Sequence, residues 1–116
     1  VYTSESRSLA HLEILVQVED TNLPAAIHWV FVPVEINESL IHTPRTLPNN
    51  WWPTPPLNAT RRFGATWAKQ ARTPVLRVPS AVTRGEFTYL LNPRHPAFAQ
   101  LRIGKATSFA FDHRVL

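Results

Sequence analysis

Proline decides how far any element of this chain can run. Pro24, Pro33, Pro79 and Pro93 each interrupt or end an ordered stretch, and five more prolines fall between Ile41 and Asn58. Each one fixes φ and removes a backbone donor, so short elements joined by loops are what remain. At 116 residues there is room for one core and no second module. The apolar fraction of 44%, with four Trp, six Phe and two Tyr, excludes a chain that is disordered throughout. No apolar run approaches the roughly 18–20 residues of a membrane span. A basic segment followed by an apolar secretory core is also missing. There is no cysteine, which excludes a disulfide scaffold, a thiolate metal site and a Cys nucleophile, and suits a cytoplasmic protein.

Between the breakers, the patterning changes period. Val1–Thr3 reads as the end of a strand feeding a helix. Leu9, Leu12, Leu15 and Val16 form an apolar stripe from Ser6 or Ser8, either of which suits an N-cap, to about Asp20, before Asn22 and Pro24. His28–Ile36 alternates and reads as one strand with an edge or bulge at Pro33. Residues 41–58, which include Trp51 and Trp52, read as a loop or as a strand followed by a long loop. Phe63 and Trp67 mark a helix over Thr60–Arg72. Val75–Val78, interrupted by Pro79, Phe87–Leu91 and Thr107–Asp112 read as strands. His95–Gln100 suits a short helix with Pro96 in its first turn. Short strands with helices between them make an α+β domain. With no Met and a start inside a strand, the chain reads as the greater part of a longer product.

Twelve basic residues against eight acidic give a net charge of +4, and ten of the twelve are Arg. The Arg fork suits bidentate binding of phosphate or carboxylate. The arginines are scattered, with Arg61 and Arg62 the one adjacent pair, so no stripe follows a nucleic-acid backbone. The five histidines lack the spacing of a metal site, and no glycine-rich phosphate loop exists. Ser80, between Pro79 and Ala81, has no nucleophile-elbow context. Trp51 and Trp52 suit core or interface packing.

Glu13 is the anomaly. On a helical wheel it lies about 40° from Leu9 and about 60° from Val16, so its carboxylate abuts the buried stripe. A half-buried Glu is hydrogen-bonded, paired, functional, or snorkels to water from the stripe's margin. His11 falls on the opposite side, toward solvent.

Three stretches together resemble the RES-domain family, the toxins of bacterial toxin–antitoxin systems. Tyr2-Thr3-Ser4 and Ser8-Leu9-Ala10-His11-Leu12-Glu13 are similar to the family's Tyr-x-Ser and Ser-Leu-Ala-x-x-Glu segments. Val78-Pro79-Ser80-Ala81-Val82 precedes Gly85-Glu86-Phe87, and Tyr89-Leu90-Leu91-Asn92-Pro93-Arg94-His95-Pro96 leads to the ending Phe109–Arg114. The resemblance implies a split, twisted β-sheet with flanking helices, similar to the ADP-ribosyltransferase toxins, with an NAD cleft between its halves. It implies cleavage of the nicotinamide–ribose bond of NAD, by phosphorolysis or hydrolysis. NAD is then substrate and phosphate a possible co-substrate, with no resident cofactor and no metal.

Glu13 and Ser80 match the family's Glu and Ser and are the expected catalytic residues, and Tyr2 matches the motif Tyr expected to bind substrate. The family's Arg belongs to a segment that would precede Val1, and Arg7 does not occupy its position. The implied partner is a cognate helix-turn-helix (Xre-type) antitoxin that plugs the cleft. Neither a membrane nor direct nucleic-acid binding is expected. Two rivals stand beside this reading: a mono-ADP-ribosyltransferase that modifies a protein, and a non-catalytic binding module if the chain truly starts at Val1.

Overall fold

A computed structural model describes residues 1–17, 27–46, 58–70 and 72–115. Strand β1 (Tyr2–Ser4) leads through a turn into helix α1 (Arg7–Gln17). Of the two candidate caps, Ser6 is the one used. Its Oγ accepts from the Leu9 backbone N–H at 3.1 Å and donates to the Glu86 carboxylate at 2.9 Å. One hydroxyl thus satisfies an orphan donor of the first turn and ties the helix start to a distant hairpin.

The stretch expected to form one strand over His28–Ile36 is two. Strand β2 (Trp29–Phe31) and strand β3 (Val34–Glu35) are separated by Val32 and Pro33. Each pairs with a different antiparallel partner: β2 with Thr107–Phe109 and β3 with Arg102–Ile103. Pro33 cannot donate to a ladder, but its carbonyl accepts from Gly104 N–H at 2.7 Å, which bridges the gap between the two strand pairs. A Cβ at Gly104 would stand 2.7 Å from Pro33 Cγ, and the Pro33 backbone lies just behind. Gly104→Ala is therefore expected to destabilise the fold by about 1–3 kcal/mol, seen as a lowered urea midpoint with unchanged slope.

Strand β4 (Ile41–His42) follows a 3₁₀ turn at Glu38–Leu40. Helix α2 (Asn58–Gln70) carries Phe63 and Trp67, both half-buried, one turn apart as their spacing predicts. Trp51 and Trp52, and the expected helix terminators Asn22 and Pro24, lie outside the described residues. Strand β5 (Val75–Pro79) then pairs antiparallel with β6 (Phe87–Leu91) along its whole length. Pro79 was expected to interrupt β5 and is instead its last residue, opposite Phe87. At that point β4, which reaches only Val75 and Leu76, has already ended, so the missing donor is needed by no second neighbour.

Then come a 3₁₀ segment (Pro96–Gln100), β7 (Arg102–Ile103), β8 (Thr107–Phe109) and a 3₁₀ turn at His113–Val115. His95 caps the 3₁₀ segment, its Nδ1 accepting from Ala97 N–H at 2.9 Å. The last strand stops at Phe109, short of the expected Asp112.

The sheet is split, and the domain is α+β. A mixed four-stranded sheet in the order β1-β6-β5-β4 stands beside the ribbons β2-β8 and β3-β7. The core gathers Val75, Leu91 and Leu101, with Val34, Leu40, Ile41, Tyr89 and Phe98 against it. Strand β3 thereby locks its ribbon onto the main sheet through Val34.

Candidate functional site

Helix α1 is held on the side that the sequence assigned to solvent. His11 lies among Phe31, Phe109 and Phe111, with ring centroids 5.2, 4.7 and 4.8 Å away, and its Nε2 is buried with no partner among the described residues. One turn earlier, the Arg7 guanidinium sits 5.4 Å above the Phe31 ring. The expectation of a solvent-facing His11 is corrected for a physical reason. The β2-β8 ribbon presents a block of stacked rings, Phe31 and Phe109 being 4.0 Å apart, and the helix turns its Arg7–His11 side onto them. The predicted stripe is rotated accordingly. Leu9 is fully buried and Leu15 half-buried, while Leu12 and Val16 are 42% and 57% exposed.

Glu13 stays at the margin of this arrangement, one turn beyond Leu9 and half-buried. Burial pushes its carboxyl above the ordinary Glu range. An ionised carboxylate that is partly desolvated exerts a stronger field on a nearby developing cation than one in bulk water.

Ser80 follows the last residue of β5 and is 2% exposed. Its N–H donates to the Glu86 carbonyl at 2.8 Å, closing the β5–β6 turn. Its Oγ accepts from Val82 N–H at 3.1 Å and Thr83 N–H at 3.0 Å. Gly85, at φ +93°, supplies the left-handed residue that the turn needs. With both lone pairs engaged, the interaction left to the hydroxyl is donation of its own proton. Ser80→Ala removes the acceptor of two half-buried N–H groups. We expect it to cost about 1–3 kcal/mol of stability, read by thermal unfolding, besides any effect on chemistry.

Tyr2 is 78% exposed on the edge strand, opposite Leu90. It borders a cleft of about 600 Å³ between β1-β6 and α2, shared with Trp67, Lys69, Leu90 and Arg94. The Asn92 amide fixes one wall, donating to the Ala68 carbonyl of α2 at 3.2 Å.

These residues are related through one junction. At the Phe87 end of β6 the Ser80 turn meets the start of α1: Glu86 accepts from Ser80 through its backbone and from Ser6 through its side chain, and Phe87 accepts from Glu5 N–H. Glu13 lies two turns along the helix that begins there. Tyr2 sits three residues along β6 from this junction, roughly 10 Å at the usual rise per residue. Sequence spacing alone gave Arg77 no preference over Arg94 as a cation for the substrate. On β5, opposite Tyr89, the Arg77 guanidinium stacks 3.6 Å above the Phe87 ring. A charged residue inside Val75–Val78 was the available signal.

The family model described as RES domain matches residues 1–112. An ADP-ribosylating toxin, Prs, of Sphingobium sp. (strain YBL2) is 34% identical over all of this chain and 74% of its own length. Proteins called Toxin Res are similar too. That of Yersinia enterocolitica is 33% identical over 99% of this chain and 76% of its own length, and that of Photorhabdus laumondii is 32% identical over 100% and 75%.

Proposed function

This chain belongs to the RES-domain family, and we propose that it is a toxin that destroys NAD by cleaving the nicotinamide–ribose bond. The observation that carries the reading is Glu13, a half-buried carboxylate within the residues that the family model matches. Nicotinamide in NAD is already a cationic leaving group, so no general acid is required to expel it. The barrier lies in the positive charge that develops on the ribose, and Glu13 stabilises that charge as it appears. The Ser80 hydroxyl hydrogen-bonds the nicotinamide amide or a ribose oxygen and orients the ring. Tyr2 offers an exposed ring for stacking. The acceptor is inorganic phosphate or water, and no metal or resident cofactor takes part.

The protein works in the cytoplasm, where a cognate helix-turn-helix antitoxin restrains it. Among the described residues no helix is long and apolar enough to cross a membrane.

Transfer of ADP-ribose to a protein is the second reading, favoured by the name of the Sphingobium relative, an ADP-ribosylating toxin. The products separate the possibilities. Labelled NAD incubated with the protein yields ADP-ribose 1″-phosphate only when phosphate is present if the reaction is phosphorolysis. Free ADP-ribose in either buffer marks hydrolysis, and label retained on protein marks transfer. In cells, expression without the antitoxin should stop growth as NAD falls. Undisturbed growth with constant NAD would remove the toxin reading.

A further inference from the structure

We propose that Arg77 is an oxyanion-binding residue that takes a phosphate group of the substrate or co-substrate, an inference that rests on the NAD reading above. Arg77 is half-buried on β5, yet among the described residues no carboxylate pairs with it. The acid nearest the hairpin, Glu86, is already committed to the Ser6 hydroxyl. The Arg77 Nε is buried and has no acceptor among the described residues, a condition native structures seldom leave without a reason. Stacking at 3.6 Å over Phe87 holds the guanidinium flat, so its fork is oriented before any ligand arrives. A cation that is immobilised, partly desolvated and without a counter-ion is matched by a tetrahedral oxyanion able to accept from two of its nitrogens at once.

The position suits the chemistry. Phe87 lies opposite Pro79, the residue before Ser80, so the stacked guanidinium lies at the end of the sheet where the Ser80 turn and the start of α1 meet. An anion held there lies beside the Ser80 turn and the start of the helix that carries Glu13. Two sources share this chemistry: the pyrophosphate of NAD, and inorganic phosphate as the attacking co-substrate.

The test reads binding and turnover separately. The first readout is the Arg77 Nε–H resonance, assigned by its loss in Arg77→Lys and followed while inorganic pyrophosphate or inorganic phosphate is added. The signal should move with one of the two anions, pyrophosphate marking the dinucleotide and phosphate the co-substrate. The second readout is kinetic. Arg77→Met should raise the KM for the matching ligand at least about tenfold, as expected for the loss of charge-assisted hydrogen bonds. Arg77→Lys, which keeps the charge and loses the fork, should fall between. Far-UV circular dichroism confirms that each variant is folded. A resonance unmoved by either anion while the protein cleaves NAD would overturn the subsite and leave the proposed function standing. A resonance that moves with pyrophosphate in a protein that leaves NAD intact would support the subsite and overturn that function.

Discussion

Glu13→Gln should reduce NAD turnover by about 10²–10³-fold, equivalent to about 3–4 kcal/mol of transition-state stabilisation, while the protein stays folded. Glutamine keeps the size and hydrogen-bonding capacity of the side chain and removes only the charge. The stability effect has a defined sign. Burial raises the folded-state value of the Glu13 carboxyl above its unfolded value, so ionisation opposes folding. The stability associated with the protonated form is fully present at low pH and is lost as pH rises through the window between the two values. At neutral pH Glu13→Gln should therefore be at least as stable as the parent, and the difference should close on acidification. For the same reason the acid limb of kcat/KM in the parent should have its midpoint above the ordinary Glu value of about 4.3. An inactive and unfolded variant would instead assign Glu13 a structural role.

Leu9→Ala should do the reverse, damaging stability first. Leu9 is fully buried one turn before Glu13 and seats α1. Truncation of a fully buried leucine costs about 2–5 kcal/mol, the higher values arising where neighbours cannot collapse into the cavity. That is a large share of the 5–15 kcal/mol available to a domain of this size. Urea unfolding followed by Trp fluorescence would measure it. Where the variant remains folded, its loss of turnover should be smaller than that of Glu13→Gln. A midpoint unchanged by Leu9→Ala would mean that α1 is seated through its His11 side alone.

What could be read from the sequence was whatever depends on near neighbours. The strand–helix passage from Tyr2 to α1, strand β6 and the short helical segment with Pro96 in its first turn all follow from spacing and turn chemistry within a few residues. Glu13 was visible as an anomaly because a helical wheel needs only local positions. The rest depends on pairings that no local pattern contains. Strand β7 has two residues, too few to show a period of two. The division at Pro33 becomes evident only when Gly104 is known to lie opposite it. His11 faces inward because residues 31, 109 and 111 assemble a wall of rings far along the chain. Likewise, the Ser80 turn and the Arg77–Phe87 stack arise from the pairing of β5 with β6, which lies beyond the reach of single-strand reading.

NAD cleavage at the glycosidic bond is tested most directly with the purified, antitoxin-free protein, a metal chelator and no redox partner. Chromatography of such a mixture follows NAD and free nicotinamide together, with and without inorganic phosphate. Loss of NAD matched mole for mole by released nicotinamide, and abolished by Glu13→Gln, is the predicted result. Intact NAD in both buffers, or conversion of NAD with the nicotinamide still attached, would contradict it.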